Sequence, residues 1–416
     1  MRILYIAMDN PAVDTILGGM NDESLAGLPA FYYPFKMLLE KGNTIDLMLI
    51  SNEEHEVIES EHFKKENFFQ IRMKYSGALG MLEFPRLLRR ETCRRLKAQH
   101  YDFVYGMSEG SHMGVRVAAK MGIPCALRQF GTRELANALK AINGKLRRWI
   151  EAFRNYTYIT LSLISKKTYM LTTNDGSASD ELFELLGVKK KRFNFFFWRS
   201  GIKMPKKQPY VDNYTNGDYP NSYDPMCLTQ IARIADEKCQ DRSARILNEL
   251  HRRGYKMHLH YVGDVSSQKM YEKTIATAAA GGITNYIHFA GGQPQERAWE
   301  YSRNALASII PTEAGLGNVF YENMAQGSML VVAKAPAMDE YIENGLNGFQ
   351  FTDEKEAADQ IEHMLLDTSK YWNIRKNAYY TAQEKFLSIE KRFGMEAELV
   401  ETAAKGKSIA EFPENL

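Results

Sequence analysis

Cysteine is scarce: four in 416 residues, with no C-x-x-C pair. Cys93, Cys125, Cys227 and Cys239 lie far apart, which excludes a disulfide framework or a zinc ribbon and reads as free thiols in a reducing compartment. Neither sign of charge dominates, since 53 Lys and Arg stand against 51 Asp and Glu for a formal net charge of +2. No global field therefore recruits nucleic acid. No stretch approaches 18 uninterrupted apolar residues, so a spanning helix is not expected. The opening MRILYIAMDN is too short and wrongly flanked for a signal peptide. A cytoplasmic protein is expected, with peripheral contact at the inner face of a membrane left open. No repeat of fixed period runs through the chain.

The length exceeds one ordinary domain, and 44% hydrophobic content suffices for two sizeable cores. A buried strand over residues 2–7 leads through a loop to Gly18-Gly19, then to an amphipathic helix over 29–41 and a strand over 44–50. This is a Rossmann-like opening without the G-x-G-x-x-G fingerprint. Residues 204–225 are rich in Pro, Asn, Gly and Asp without any period and mark a domain boundary. Strand and helix signals then alternate again.

Residues 309–351 carry the densest chemistry. An apolar strand meets a turn with Gly315 and Gly317, then a helix with Glu322 in its second turn, then a buried strand at 329–333. Unpartnered N–H groups, a helix dipole and glycines together suit an anion. A tight β-α-β connection explains the same glycines equally well. After an earlier strand, Arg233 and Lys238 stand five residues apart.

These motifs resemble the family-four retaining glycosyltransferases, two-domain enzymes of the GT-B type. Their donor signature runs P-S-x-x-E-G-F-G-x-x-x-x-E-A-x-A-x-G-x-P-V-V, then E-x-I and G-x-x-G. Pro311-Thr312, Gly315-Leu316-Gly317, Glu322 to Gly327, Val331-Val332, Glu340-Tyr341-Ile342 and Gly345 to Gly348 fall in register with it. The family's G-R-L-x-x-x-K matches at Arg233 and Lys238, and its G-D and F-x-G-x loops match at Gly263-Asp264 and Phe289-Ala290-Gly291. Three departures stand out. Ala314 occupies the place of the first glutamate, with Glu313 one residue early; Tyr105 and Phe130 stand where the family often has histidines.

The resemblance implies an α/β chain of two Rossmann-like domains with a cleft between them. The expected boundaries are an acceptor-side domain at 1–205, a linker at 206–225, a nucleotide-sugar domain at 226–385, and at 386–416 a helix crossing back to the first domain, with a tail. Arg233 and Lys238 are expected to take the leaving diphosphate, whose growing charge two fixed cations stabilise, and Glu313 to stand in for the missing glutamate. Gly18, Gly19, Gly263, Gly291, Gly315, Leu316, Gly317, Asn318, Val319 and Glu322 are the expected donor contacts, with Glu322 on the ribose. No Asp-x-Asp pair is present, in keeping with a metal-independent site, and no cofactor is implied because the nucleotide sugar is a substrate. The expected reaction is retaining transfer to a glycan, lipid-linked or small-molecule acceptor in cell-surface polysaccharide or glycoconjugate synthesis. A catalytically degenerate scaffold is the rival reading, and an epimerase or phosphorylase on the same plan fits less well.

Other features have plainer readings beside the functional ones. Residues 83–100 and 140–154 are basic with interleaved apolar residues, which suits an anionic membrane surface or a solvated helix face. No nucleic-acid-binding motif accompanies them. His112 and Glu109 follow a strand, where capping or packing is the simpler role. His258 and His260 share one strand face, but no third ligand is evident, so both read as half-buried strand residues.

Overall fold

Short apolar strands alternating with helices build two all-parallel sheets in the computed structural model. The structure describes residues 1–20, 29–61, 63–74, 77–130, 132–163, 168–173, 179–188, 194–199, 201–205, 222–312, 317–335 and 338–414. The chain divides into two units, Met1–Gly201 with Ile389–Leu416, and Ile202–Ser388. Most of the expected linker, residues 206–221, lies outside the described residues.

In the first unit, β1 (Arg2–Met8), β2 (Thr44–Ile50), β3 (Phe68–Ile71), β4 (Phe103–Met107), β5 (Cys125–Gln129), β6 (Tyr169–Thr173) and β7 (Asn194–Trp198) lie in the order β3-β2-β1-β4-β5-β6-β7. β1 is buried from Ile3 to Ala7, the continuous run expected of a strand covered on both faces. The helices are α1 (Pro11–Leu17), α2 (Pro29–Glu40), α3 (Gly77–Ala98), α4 (His112–Lys120), α5 (Thr132–Lys140), α6 (Lys145–Asn155), α7 (Thr157–Leu163) and α8 (Ser179–Leu186). Helix α1 replaces the loop expected before Gly18. Its start is fixed by Asn10, whose side chain accepts from the Ala12 N–H, and by Pro11 in the first turn. Ala12, Val13, Ile16 and Leu17 are all buried.

The C-terminal helix, Ile389–Ala404, packs in this same unit. Its Glu396 is buried beside Arg128 of β5 and Tyr105 of β4. Arg392 Nη1 lies 2.8 Å from the same carboxylate, and Arg392 Nε donates to the Arg199 carbonyl at 2.7 Å. Burial alone would raise the Glu396 pKa, but the two guanidiniums overcome it and hold the carboxyl at about 2. Desolvation, aided by Arg128, pulls Arg392 down to about 10.

In the second unit, β8 (Asp224–Ile231), β9 (His258–Val262), β10 (Ile287–Phe289), β11 (Ala305–Ile310), β12 (Leu330–Ala333) and β13 (Phe349–Phe351) lie in the order β10-β9-β8-β11-β12-β13. The helices are α9 (Gln240–Arg252), α10 (Gln268–Ala280), α11 (Gln295–Asn304), α12 (Asn318–Ala325), α13 (Glu354–Leu366) and α14 (Thr368–Lys385). Chain order reverses between β8 and β11, and ligands of open α/β sheets bind outside the carboxyl ends of strands at such a reversal. Among the described residues, no helix is long and apolar enough to cross a membrane.

Removing the Glu396 charge strands two buried guanidiniums. Glu396→Gln is expected to destabilise the first unit by about 3–5 kcal/mol in urea unfolding at pH 7. Because the folded pKa is depressed, this stabilisation is present above the ordinary value of 4.5 and is lost as pH falls through about 2. The wild type should therefore lose stability more steeply than the variant between pH 4.5 and 2.

Candidate functional site

At the carboxyl edge of the second sheet, the loops after β8, β9 and β10 are laced by their backbones. Gly263, just past β9, has φ +152, and a Cβ there would stand 2.3 Å from the Ala232 carbonyl oxygen and 2.8 Å from the Arg233 nitrogen. Only glycine lets the two loops meet so closely. The Gly263 N–H donates to the Gly291 carbonyl at 2.9 Å, and the Gly292 N–H donates to Asp264 Oδ1 at 2.8 Å.

Arg233 follows β8 directly. The buried Gln240 side chain donates to the Arg233 carbonyl at 2.9 Å, and Gln230 Nε2 donates to the Lys238 carbonyl at 2.7 Å. These two amides fix the turn that carries both cations. The Arg233 side chain is 63% exposed and pairs with Glu237 at 2.7 Å. An exposed pair of this kind contributes at most about 1 kcal/mol, so a phosphate can displace it. Desolvation lowers the Lys238 pKa; Glu237 opposes that effect and Arg233 adds to it.

Helix α12 follows β11, on the other side of the chain reversal. Gly317 is its N-cap and provides no capping side chain, and among the described residues a Cβ placed there would meet nothing within 4 Å. Glu322 accepts from Gln295 Nε2 at 3.0 Å and from Trp299 Nε1 at 3.3 Å, both on α11. Desolvation raises its pKa against these two hydrogen bonds. Arg242 of α9 donates to the Pro311 carbonyl at 3.2 Å, tying the loop after β11 to the helix beyond Lys238. The edge therefore offers two cations, an open helix start and a carboxylate, a set suited to a ligand with both phosphate and hydroxyl groups.

The remaining expected contacts fall elsewhere. Glu313, Ala314, Gly315 and Leu316 lie outside the described residues. Gly18 and Gly19 are in the first unit, where Gly18 ends α1 by donating to the Asp14 carbonyl at 2.8 Å and Gly19 has φ +91. Tyr105 is part of the Glu396 network, and Phe130 stacks on Phe31 with centroids 4.4 Å apart. His112 opens α4, with its Nδ1 3.0 Å from the Glu109 carbonyl; burial lowers its pKa and raises that of Glu109. Gln230, Gln240, Gln295 and Trp299 carry no motif, and their part in the site emerges only from the fold.

Residues 219–381, which include Arg233, Lys238 and Glu322, match the profile of the family described as glycosyl transferases group 1. That match lies within the second unit, Ile202–Ser388. The fold of the whole chain is that of GT-B glycosyltransferases. HepE of Anabaena, solved with UDP and glucose, aligns with a TM-score of 0.64 at 16% identity over 97% of this chain and 100% of its own. Sucrose-phosphate synthase from Thermosynechococcus elongatus aligns at 0.67 and 14% identity, over 98% and 100%. WaaG, a glycosyltransferase involved in lipopolysaccharide biosynthesis, aligns at 0.62 and 16%, over 96% and 99%. No curated protein matches by sequence.

Gly263→Ala forces the loops after β8 and β9 apart. A loss of about 1–3 kcal/mol is expected from the overpacking, read as a lower urea midpoint with an unchanged slope.

Proposed function

We propose that the chain is a retaining glycosyltransferase that moves a sugar from a nucleoside-diphosphate donor to a glycan, lipid-linked or small-molecule acceptor. The observation that carries this reading is the placement of Arg233 and Lys238 directly after β8, across the chain reversal from the open start of α12. As the glycosidic bond breaks, negative charge grows on the diphosphate, and two held cations stabilise it more in the transition state than in the ground state. The first-turn amides at Asn318 and Val319 take the phosphate nearer the sugar. Glu322 exchanges its bonds to Gln295 and Trp299 for the ribose hydroxyls. Gly291 presents backbone to the base. Glu313 substitutes for the glutamate absent at Ala314. Charge stabilisation by side chains makes a metal dispensable at this edge.

The acceptor side contacts an anionic membrane in this reading, and the two basic stretches part company on the point. In α3, Phe84, Leu88 and Leu96 are buried, and Arg86, Arg89, Arg90 and Arg94 form a solvated face. In α6, Leu146, Ile150 and Phe153 are 75%, 59% and 39% exposed, a single stripe at helical spacing beside Lys145, Arg147 and Arg154. Such a face fits the headgroup boundary of an anionic bilayer. Ile150→Ser with Phe153→Ser should abolish cosedimentation with phosphatidylglycerol vesicles and leave the melting temperature unchanged. Equal sedimentation of the variant would sink the contact.

Thermal unfolding against a panel of nucleoside diphosphates tests the donor site. UDP heads the panel because the aligned HepE structures contain it. One nucleotide at 100 times its Kd should stabilise the protein by about 2.7 kcal/mol, with or without magnesium, and Arg233→Ala should remove the effect. In a transfer assay, Arg233→Ala and Lys238→Ala should each lower kcat by about 100-fold or more, with the product anomer matching the donor. Binding without transfer to any acceptor would favour a scaffold, and an inverted product would overturn retention.

A further inference from the structure

The start of the second unit brings a charge to Glu322 that no motif announces. Ile202 opens the unit: its N–H donates to the Leu387 carbonyl at 3.1 Å, and its buried side chain shares a core with Phe320 and Met324 of α12. The next residue, Lys203, reaches α11. Its Nζ pairs with Glu296 at 3.1 Å and lies 5.5 Å from the centroid of the Trp299 ring, inside the range of a cation–π contact. Trp299 is itself buried and donates through Nε1 to Glu322. One indole thus meets both the ammonium and the carboxylate. Other charged side chains on the elements packed against α12 are engaged elsewhere. Arg303 donates to Gln326 at 2.7 Å, Arg297 pairs with Glu300, Arg375 donates to the Gly327 carbonyl at 2.6 Å, and Lys385 donates to the Glu340 carbonyl at 2.7 Å. Tyr321 packs edge-on against Tyr341, with ring centroids 5.6 Å apart.

We propose that Lys203 is a positioning residue of the donor site: its ammonium, steadied by Glu296 and the Trp299 ring, keeps Glu322 charged for the ribose hydroxyls. This role rests on the reading of Glu322 as the ribose contact. Burial raises the Glu322 pKa, and the Trp299 and Gln295 hydrogen bonds and the Lys203 charge oppose that rise. A bound nucleotide excludes water from the carboxylate and exchanges both hydrogen bonds for hydroxyls. The ammonium is the one opposing influence that the exchange leaves in place. Hydrogen bonds to an ionised acceptor are roughly twice as strong as those to a neutral one, so the charge on Glu322 decides how much the ribose contributes to affinity. Lys203 is half exposed, and its field is partly screened by salt and water. Its effect on binding is therefore a few-fold one, greatest where Glu322 begins to take up a proton.

The test is calorimetric titration of the full chain with UDP, GDP and ADP, each beside its 2′,3′-dideoxy analogue, from about pH 5 to pH 8. For the nucleotide that binds best, Lys203→Gln should weaken binding by about threefold or more at pH 5 and by less at pH 8. The dideoxy analogue should be unaffected. The acid limb of the affinity profile should move to higher pH, since Glu322 protonates more readily without the ammonium. Lys203→Arg should restore the wild-type profile. Glu322→Gln separates the two readings, because it should erase the preference for the nucleotide over its analogue. If none of the three nucleotides binds, or if that preference is absent from the wild type or survives Glu322→Gln, the ribose reading fails and the role of Lys203 falls with it. If Glu322→Gln erases the preference while Lys203→Gln leaves the profile in place or weakens both ligands equally, the role of Lys203 alone is overturned. Circular dichroism of each variant separates loss of the site from loss of the fold.

Discussion

One buried carboxylate decides the order of the chain. Glu396 sits between Arg128 and Arg392 with the Tyr105 hydroxyl on its other oxygen. None of these groups tolerates burial alone, since an unpaired charge in an apolar interior costs several kcal/mol. The C-terminal helix must therefore lie on the sheet of the first unit, in the register that brings Glu396 to β4 and β5. The chain leaves that unit at Gly201 and rejoins it at Ile389, and the second unit is in effect an insertion between them. Apolar residues would pack such a helix about as stably. The charged set instead ties it to one position, because a slip of one residue strands all three ions.

The second unit solves a different problem. It must hold charged side chains at a sheet edge without burying them, and it does so through backbone. Gly263 lets the loop after β9 press against Ala232 and Arg233, and buried amides of Gln230 and Gln240 grip the carbonyls on either side of the cation turn. Arg233 remains exposed while its Cα is fixed. The backbone that carries the charge is ordered in advance, and only side-chain freedom is left to be lost when Arg233 is engaged.

How much of this was legible followed from the kind of interaction. Parallel strands covered on both faces are continuous apolar runs, so β1, β2, β9 and β12 were readable from composition alone. The cation pair and Glu322 were readable because their spacing is fixed by a strand, turn and helix of set length. Helix α1 was not, because seven residues opened by Asn-Pro look like a turn until their burial is known. Gln240 was invisible for another reason: a glutamine at a helix start looks solvated, and only the fold shows that it is buried against two backbone groups. Tyr105 and Phe130 could be recognised as departures from the family pattern, yet their partners, Glu396 and Phe31, are distant in sequence.

The three imidazoles of the second unit show the same limit from the other side. His258 and His260 were visibly on one face, but His288 joins them only because β10 pairs with β9 in the register His288 to His260. That pairing also explains why the two edges of one sheet carry opposite chemistry. Each helix that follows a parallel strand runs back across the sheet, so helix N-termini collect at the carboxyl edge and C-termini at the amino edge. The first edge is electropositive and suits phosphate; the second is electronegative and suits a cation. Arg233 and Lys238 at the carboxyl edge extend the field that the backbone already imposes there.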